Sequence, residues 1–206
     1  WSRTDLKVTA DQQRILENRF SMEIDPACQR SWLNLYLSRD WKFEAAGLSE
    51  LVPHSPDGTV SWLTLRYLEK SGTTRQKARL ISSWLNTDNA GKAKLAIAFR
   101  KLNMRETHPW LIQEISKSHG ELRLLCIETL AATADSKSET VIESLLQSDC
   151  DRTREAVLSG LAKSNASRGF ELLRQKVQEM NDRDPLYQRA KSLQSAPTRV
   201  QSISGK

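Results

Sequence analysis

Ser148-Asp-Cys-Asp-Arg-Thr-Arg-Glu-Ala-Val-Leu-Ser-Gly-Leu-Ala162, directly after the apolar run Val141-Ile-Glu-Ser-Leu-Leu146, is the stretch on which the reading of this chain turns. Its spacing predicts a helix, a short acidic turn and a second helix that carries Arg154 in its first turn. Ala156, Val157, Leu158 and Leu161 fall on the inner side of that second helix. A single hairpin of this kind cannot bury its own apolar face, so it needs copies to stack against.

The copies are present at a step of about 31 positions. One step back carries Arg154 onto Arg123, Val157 onto Cys126, Leu158 onto Ile127 and Leu161 onto Leu130. In the preceding helix, Ile142 lands on Leu111 and Leu146 on Ile115. A second step reaches Lys92, Leu95, Ala96 and Phe99, with Leu80 and Trp84 before them. The third is weaker, at Ser61, Thr64, Leu65 and Leu68. A fourth gives Arg30, Leu33, Asn34 and Leu37, with Tyr67 falling on Tyr36. Trp62 and Trp32 do not share a phase.

The expected fold class is therefore all-α, with about six antiparallel helix pairs in residues 1–194 and an irregular tail over 195–206. The repeats are expected over residues 10–39, 41–71, 73–103, 105–134, 136–165 and 168–194. Asp25-Pro26 starts a helix with an acidic cap and an N-terminal proline. In the second repeat Leu48, Leu51 and Val52 are expected on a first helix, before the breaker-rich turn Pro53-His-Ser-Pro-Asp-Gly58. Pro109 separates two further helices. In the sixth repeat Asp182 to Ala190 is expected on the second helix, with Tyr187, Ala190 and Leu193 as its apolar face.

Composition agrees. Of 206 residues, 38% are hydrophobic and only eight are Gly and six Pro, which excludes a disordered tail and favours helix. The net charge is +6, but 25 acidic residues are interspersed among 31 basic ones. Such a mildly basic surface is compatible with phosphate-bearing partners and does not require them. No apolar run reaches the roughly 18 residues of a membrane span. The chain begins at Trp1 rather than Met, so a membrane link is expected only through a segment preceding Trp1. Cys28, Cys126 and Cys150 form no CxxC pair, and their odd number argues against a closed disulfide framework. Cys126 lies on an apolar stripe, whereas Cys150 sits in a turn and is the cysteine expected to react.

Leu145-Leu146 followed by Asp149, Asp151, Arg154, Ala156, Leu158 and Leu161, with its fainter copies, resembles a HEAT-type repeat, close to the short bacterial form named after the phycobilisome lyases. The resemblance implies an α-solenoid, a right-handed superhelix whose second helices line the concave side. It also implies binding of other macromolecules. HEAT-like iron hydroxylases use His-Glu pairs as ligands, but here His54 precedes Ser55, His108 precedes Pro109 and His119 precedes Gly120. HEAT-like DNA glycosylases place aromatic and acidic residues on a basic face; of the six tryptophans here, Trp84 and Trp110 read as core. No catalytic residue, cofactor or metal is expected.

The period generates two basic ladders. Arg30, Lys92, Arg123 and Arg154 recur near the starts of the second helices, interrupted by Ser61 and ending at Pro185, with Asp57, Asp88, Asp149 and Asp151 nearby as structural partners. Arg39, Lys70, Lys101 and Lys163 recur at the ends of the same helices, skipping Ala132. Cations there complement the helix dipole and also form a candidate binding rim. The expected function is a non-enzymatic protein–protein interaction module, a scaffold, adaptor or assembly factor, whose partner is a protein or peptide and, for the basic rim, an acidic one. The alternative is a nucleic-acid-binding protein of the DNA-repair type that uses the ladders along its groove.

Overall fold

The structure, a computed structural model, describes residues 9–39, 41–43, 45, 47–164 and 167–195, with the side chains of Ser167 and Arg168 left out. Among the described residues the chain is all-helical, with no strand. In order the helices are α1 (Ala10–Met22), α2 (Pro26–Arg39), α3 (Leu51–His54), α4 (Gly58–Ser71), α5 (Thr74–Leu85) and α6 (Asn89–Lys101). A 3-10 turn at Arg105–Thr107 leads into α7 (His108–Lys117), then α8 (Gly120–Ala132), α9 (Glu139–Leu146), α10 (Asp151–Ala162), α11 (Ser167–Glu179) and α12 (Tyr187–Ser195). The tail expected over 195–206 lies outside the described residues, apart from Ser195 at the end of α12. No described helix is long and apolar enough to cross a membrane.

Polar side chains at the helix starts explain where many of these elements begin. Thr9 and Thr73 each form a reciprocal capping box, with Gln12 and Gln76 respectively. Asp25 Oδ1 accepts the Ala27 N–H at 2.9 Å, beside Pro26 in the first turn of α2. Asp57 Oδ1 accepts the N–H groups of Thr59 at 2.8 Å and Val60 at 3.0 Å, satisfying two of the donors that open α4.

Two segments differ from the sequence expectation. The helix expected around Leu48, Leu51 and Val52 is a turn over residues 47–50 followed by the single helical turn α3. Pro53 in this segment has no N–H to continue a helix ladder, and Ser55 leaves the helical region with ψ 127. Leu48 and Val52 are nevertheless buried, so the packing expected of them is kept without the helix. In the last repeat the helix begins at Tyr187 rather than near Asp182. Residues 182–186 form turns instead, with Asp184 Oδ1 accepting the Leu186 N–H at 2.9 Å.

The chain divides into two compact units, Trp1–Ala98 and Phe99–Lys206. The first is built on aromatic rings. Phe43 stacks on Tyr36 at 4.1 Å between centroids and meets Phe20 edge-on at 5.0 Å. Tyr67 of α4 joins them by accepting the Phe43 N–H at 2.5 Å, while its own hydroxyl hydrogen lies within reach of the Trp41 carbonyl at 3.0 Å. Tyr36 Oη, buried in the same cluster, has no hydrogen-bond partner. Burial pushes the Tyr36 hydroxyl up, and Glu17 and Tyr67 push it the same way. Gln76 Nε2 ties α5 to this cluster through the Phe43 carbonyl at 2.7 Å.

The second unit is centred on α8 and α10. Cys126, Ile127 and Leu130 of α8 are fully buried, as are Val157 and Leu161 of α10. Each larger aliphatic side chain so buried contributes about 1.5–3 kcal/mol. The two helices approach so closely that a Cβ built on Gly160 would lie 2.4 Å from the Glu128 carbonyl oxygen and 2.7 Å from Ala131 Cβ. They lie side by side in the same direction, because Arg123 near the start of α8 reaches Thr153 near the start of α10, while Lys163, just past the end of α10, reaches Glu128. Gly160→Ala is expected to push the helices apart and lower stability by about 1–3 kcal/mol in urea unfolding. An unchanged midpoint would show that this backbone contact does not form.

Candidate functional site

Arginine in the first turn of a helix faces the positive end of the helix dipole, so its charge needs a local acceptor. Arg30 pairs with Asp57, the N-cap of α4. Arg154 pairs with Asp184 at 2.8 Å and also with Asp151 in its own turn. Arg123 uses neutral acceptors instead, donating to Thr153 Oγ1 at 2.9 Å and to the Ile115 carbonyl at 3.2 Å. The three side chains thus reach forward to a later helix or to the turn that leads into one, Arg30 in the first unit and the other two in the second. Lys92 lies 5.7 Å from the Trp84 ring centroid, a cation–π contact. The apolar period does not name Asp184 and Thr153 as forward partners; the signal for them in the sequence is a polar residue about 30 positions ahead of each arginine.

These contacts depress the acids. The Val60 N–H chiefly holds the Asp57 carboxyl below the usual carboxylate range; burial opposes it, and the Thr59 N–H and Arg30 add to it. For Asp184 the Leu186 N–H leads, burial opposes and Arg154 assists. A cavity of about 150 Å³ lies beside this pair, lined also by Leu146, Leu158 and Leu186.

The second ladder occupies helix ends. Arg39 and Lys101 are the last residues of α2 and α6, Lys70 lies in the last turn of α4, and Lys163 is the C-cap of α10. Lys70 Nζ donates to the Leu37 carbonyl at 3.3 Å, near the end of α2. Lys163 Nζ lies 2.6 Å from Glu128 Oε1, which Arg100 also engages. Glu128, at 16% side-chain exposure, therefore balances two cations, so Lys163 does not stand as an isolated charge on that rim.

Two features were not legible in the period. The first is Trp62, 46% exposed on α4, with the Arg66 guanidinium 5.0 Å from its ring centroid. The second joins residues distant in sequence. His108 is buried, with Nε2 2.9 Å from Thr133 Oγ1 and Nδ1 3.5 Å from Asp135 Oδ1. A cavity of about 390 Å³ lies beside it, lined also by Arg105, Lys137 and Ser138. The order Asp–His–Thr imitates a nucleophile triad. Thr133 is 1% exposed, however, and its hydroxyl is 2.8 Å from the Thr129 carbonyl, to which it donates. A hydroxyl so enclosed cannot reach a substrate carbonyl, and the trio acts as a clamp between the start of α7 and the turn after α8. His54 and His119 are exposed, and among the described residues no three His, Cys, Asp or Glu side chains gather to hold a metal.

No family model, no curated protein and no solved structure matches this chain. The residues themselves therefore carry every functional argument.

Burial chiefly holds His108 below its ordinary value; Asp135 opposes this and Arg105 reinforces it. Because the folded value lies below the unfolded one of about 6.5, the contribution to stability is complete above that pH. It is lost as pH falls through the folded value, since the unfolded chain takes up the proton first. The urea midpoint is expected to fall between pH 7 and pH 5 in the parent protein and to fall less in His108→Gln. Equal slopes in the two proteins would remove His108 as the cause.

The three cysteines separate by environment. Cys126 is buried, whereas Cys28 and Cys150 are exposed. Asp25, through a hydrogen bond from the thiol, chiefly raises Cys28, while the Thr153 N–H at the start of α10 chiefly lowers Cys150, with Arg123 contributing. With a colorimetric disulfide reagent at neutral pH, Cys150 is expected to react first, Cys28 more slowly and Cys126 only on unfolding. Peptide mapping of the first labelled site checks the order, and Cys28 labelled ahead of Cys150 would refute it.

Proposed function

We propose that the chain is a HEAT-like α-solenoid of about six antiparallel helix pairs and serves as a non-enzymatic protein-binding module. Its exposed second-helix surfaces would act as scaffold, adaptor or assembly factor for a protein partner. The observation that carries this reading is the recurrent forward tie between second helices, Arg30 to Asp57, Arg123 to Thr153 and Arg154 to Asp184. Ties at nearly constant offset are what a stack of like units requires, each unit contacting the next. They also occupy most of the first ladder internally, which weakens the nucleic-acid alternative. A phosphate-tracking groove needs cations held free for the backbone. Here Arg30 and Arg154 are paired with carboxylates, and Lys163 is paired with Glu128.

Crosslinking followed by mass spectrometry, in an extract of the native cell, tests the proposal. One specific protein is expected, with crosslinks on the exposed sides of α2, α4, α8 and α10. Fluorescence anisotropy with labelled duplex and single-stranded DNA supplies the contrary outcome. Tight, salt-weakened binding that is lost when Lys70, Lys101 and Lys163 are changed to Glu, with no specific protein recovered, would replace this reading with nucleic-acid binding.

A further inference from the structure

We propose that the strip of α4 carrying Trp62 and Arg66 is a docking site for an acidic peptide segment bearing a bulky apolar side chain. This rests on the protein-binding reading above and deepens it by naming the surface and the chemistry of what it holds.

Helix α4 spends most of its circumference on the core. Val60, Leu63, Leu65, Tyr67 and Leu68 are all buried, along with Ser61 and Thr64. What remains open is a narrow strip at helical spacing: Thr59, Trp62, Arg66, Glu69 and Lys70. An indole left 46% exposed on this strip adds little to a core already filled by Leu63 and Tyr67. Arg66 lies against that indole, at 5.0 Å from its centroid, and among the described residues no carboxylate pairs with it. Stacking limits the arginine's freedom, so less entropy is lost when its guanidinium fork meets a carboxylate.

Helices α2 and α4 run alongside one another in the same direction, with Arg30 on Asp57 at one end and Lys70 on the Leu37 carbonyl at the other. With Lys70 held at that helix end, the open strip offers one large apolar face, Trp62, and one guanidinium that no carboxylate engages among the described residues, Arg66. Tryptophan and arginine are the residues that most often dominate protein interfaces, because one contributes a large rigid apolar face and the other a bidentate charge.

The same features disfavour a nucleic acid here. A single-strand platform stacks successive bases on successive aromatic rings, and this strip offers one indole with a guanidinium already against it. Of the nearby cations that could follow a phosphate chain, Arg30 is paired with Asp57 and Lys70 is turned to a helix-end carbonyl.

The test uses the full chain and a fluorescein-labelled probe, a short peptide of glutamates around one central leucine, read by anisotropy. Two controls accompany it: the same peptide with lysine in place of glutamate, and labelled oligo(dT). Binding of the glutamate peptide alone is expected. Salt should weaken it, and Trp62→Ala and Arg66→Glu should each weaken it about tenfold or more. Arg66→Lys should recover part of the loss, because it restores the charge without the fork. Both parent side chains are exposed, and an unchanged circular dichroism spectrum confirms folding of each variant. No binding of the glutamate peptide, binding indifferent to the two variants, equal binding of the lysine peptide or preference for oligo(dT) would each overturn the site. Crosslinks from a native partner that map to other second helices would leave the protein-binding reading standing while removing this location.

Discussion

A positively charged side chain in the first turn of a helix opposes the dipole of that helix, and the local order of this protein follows from how that conflict is resolved. Asp57 does two tasks with its two oxygens: one caps the opening N–H groups of α4, and the other takes the charge of Arg30. In the turn that precedes α12, Asp184 likewise uses one oxygen for a main-chain donor, the Leu186 N–H, and the other for Arg154. A cap must sit at a helix start, and the arginine has a limited reach. Each such pair therefore sets the register between the two segments it joins. Arg123 achieves the same reach with a threonine hydroxyl and a main-chain carbonyl.

Apolar contact then closes the arrangement that the polar ties align. In the second unit Gly160 lets the backbone of α10 lie against Glu128 and Ala131 of α8, while Val157 and Leu161 fill the seam. Glu128 stands at the end of that seam and gathers Arg100 and Lys163. In the first unit the seam is aromatic, and Tyr67 reaches from α4 to the main chain at Phe43 to hold a segment that is not helical. Charges consumed in these ties are withdrawn from any ligand. The packing leaves Trp62 and Arg66 open at the surface instead.

The helical hairpin at Val141 to Ala162 was fully legible in the residues. Helices α9 and α10 flank a turn, and Ala156, Val157, Leu158 and Leu161 are buried. Legibility failed where a local rule outweighed the period. Leu48 and Val52 keep the inward spacing of a helix, but the segment turns before Pro53, and burial of apolar side chains does not require helical backbone. Asp184 likewise starts a turn where the apolar pattern alone continues a helix back to Asp182. For the first ladder, Asp57 and Asp151 were legible in the sequence as partners, and they engage Arg30 and Arg154, whereas Thr153 and Asp184 were not, because a forward tie of about 30 residues depends on how helices distant in the chain pack together.

The sequence by itself determined that this protein is helical, where most helices start and stop, and which side of each is apolar. Those properties follow from near-neighbour chemistry: capping hydroxyls and carboxylates, prolines, and a spacing of three or four between apolar residues. Only the tertiary structure decided which of the many cations are spent. Only it decided that His108, Thr133 and Asp135 meet in a closed clamp, and that Trp62 stays at the surface. Each of those outcomes depends on the distance between side chains brought together by packing, and no spacing along the chain encodes it.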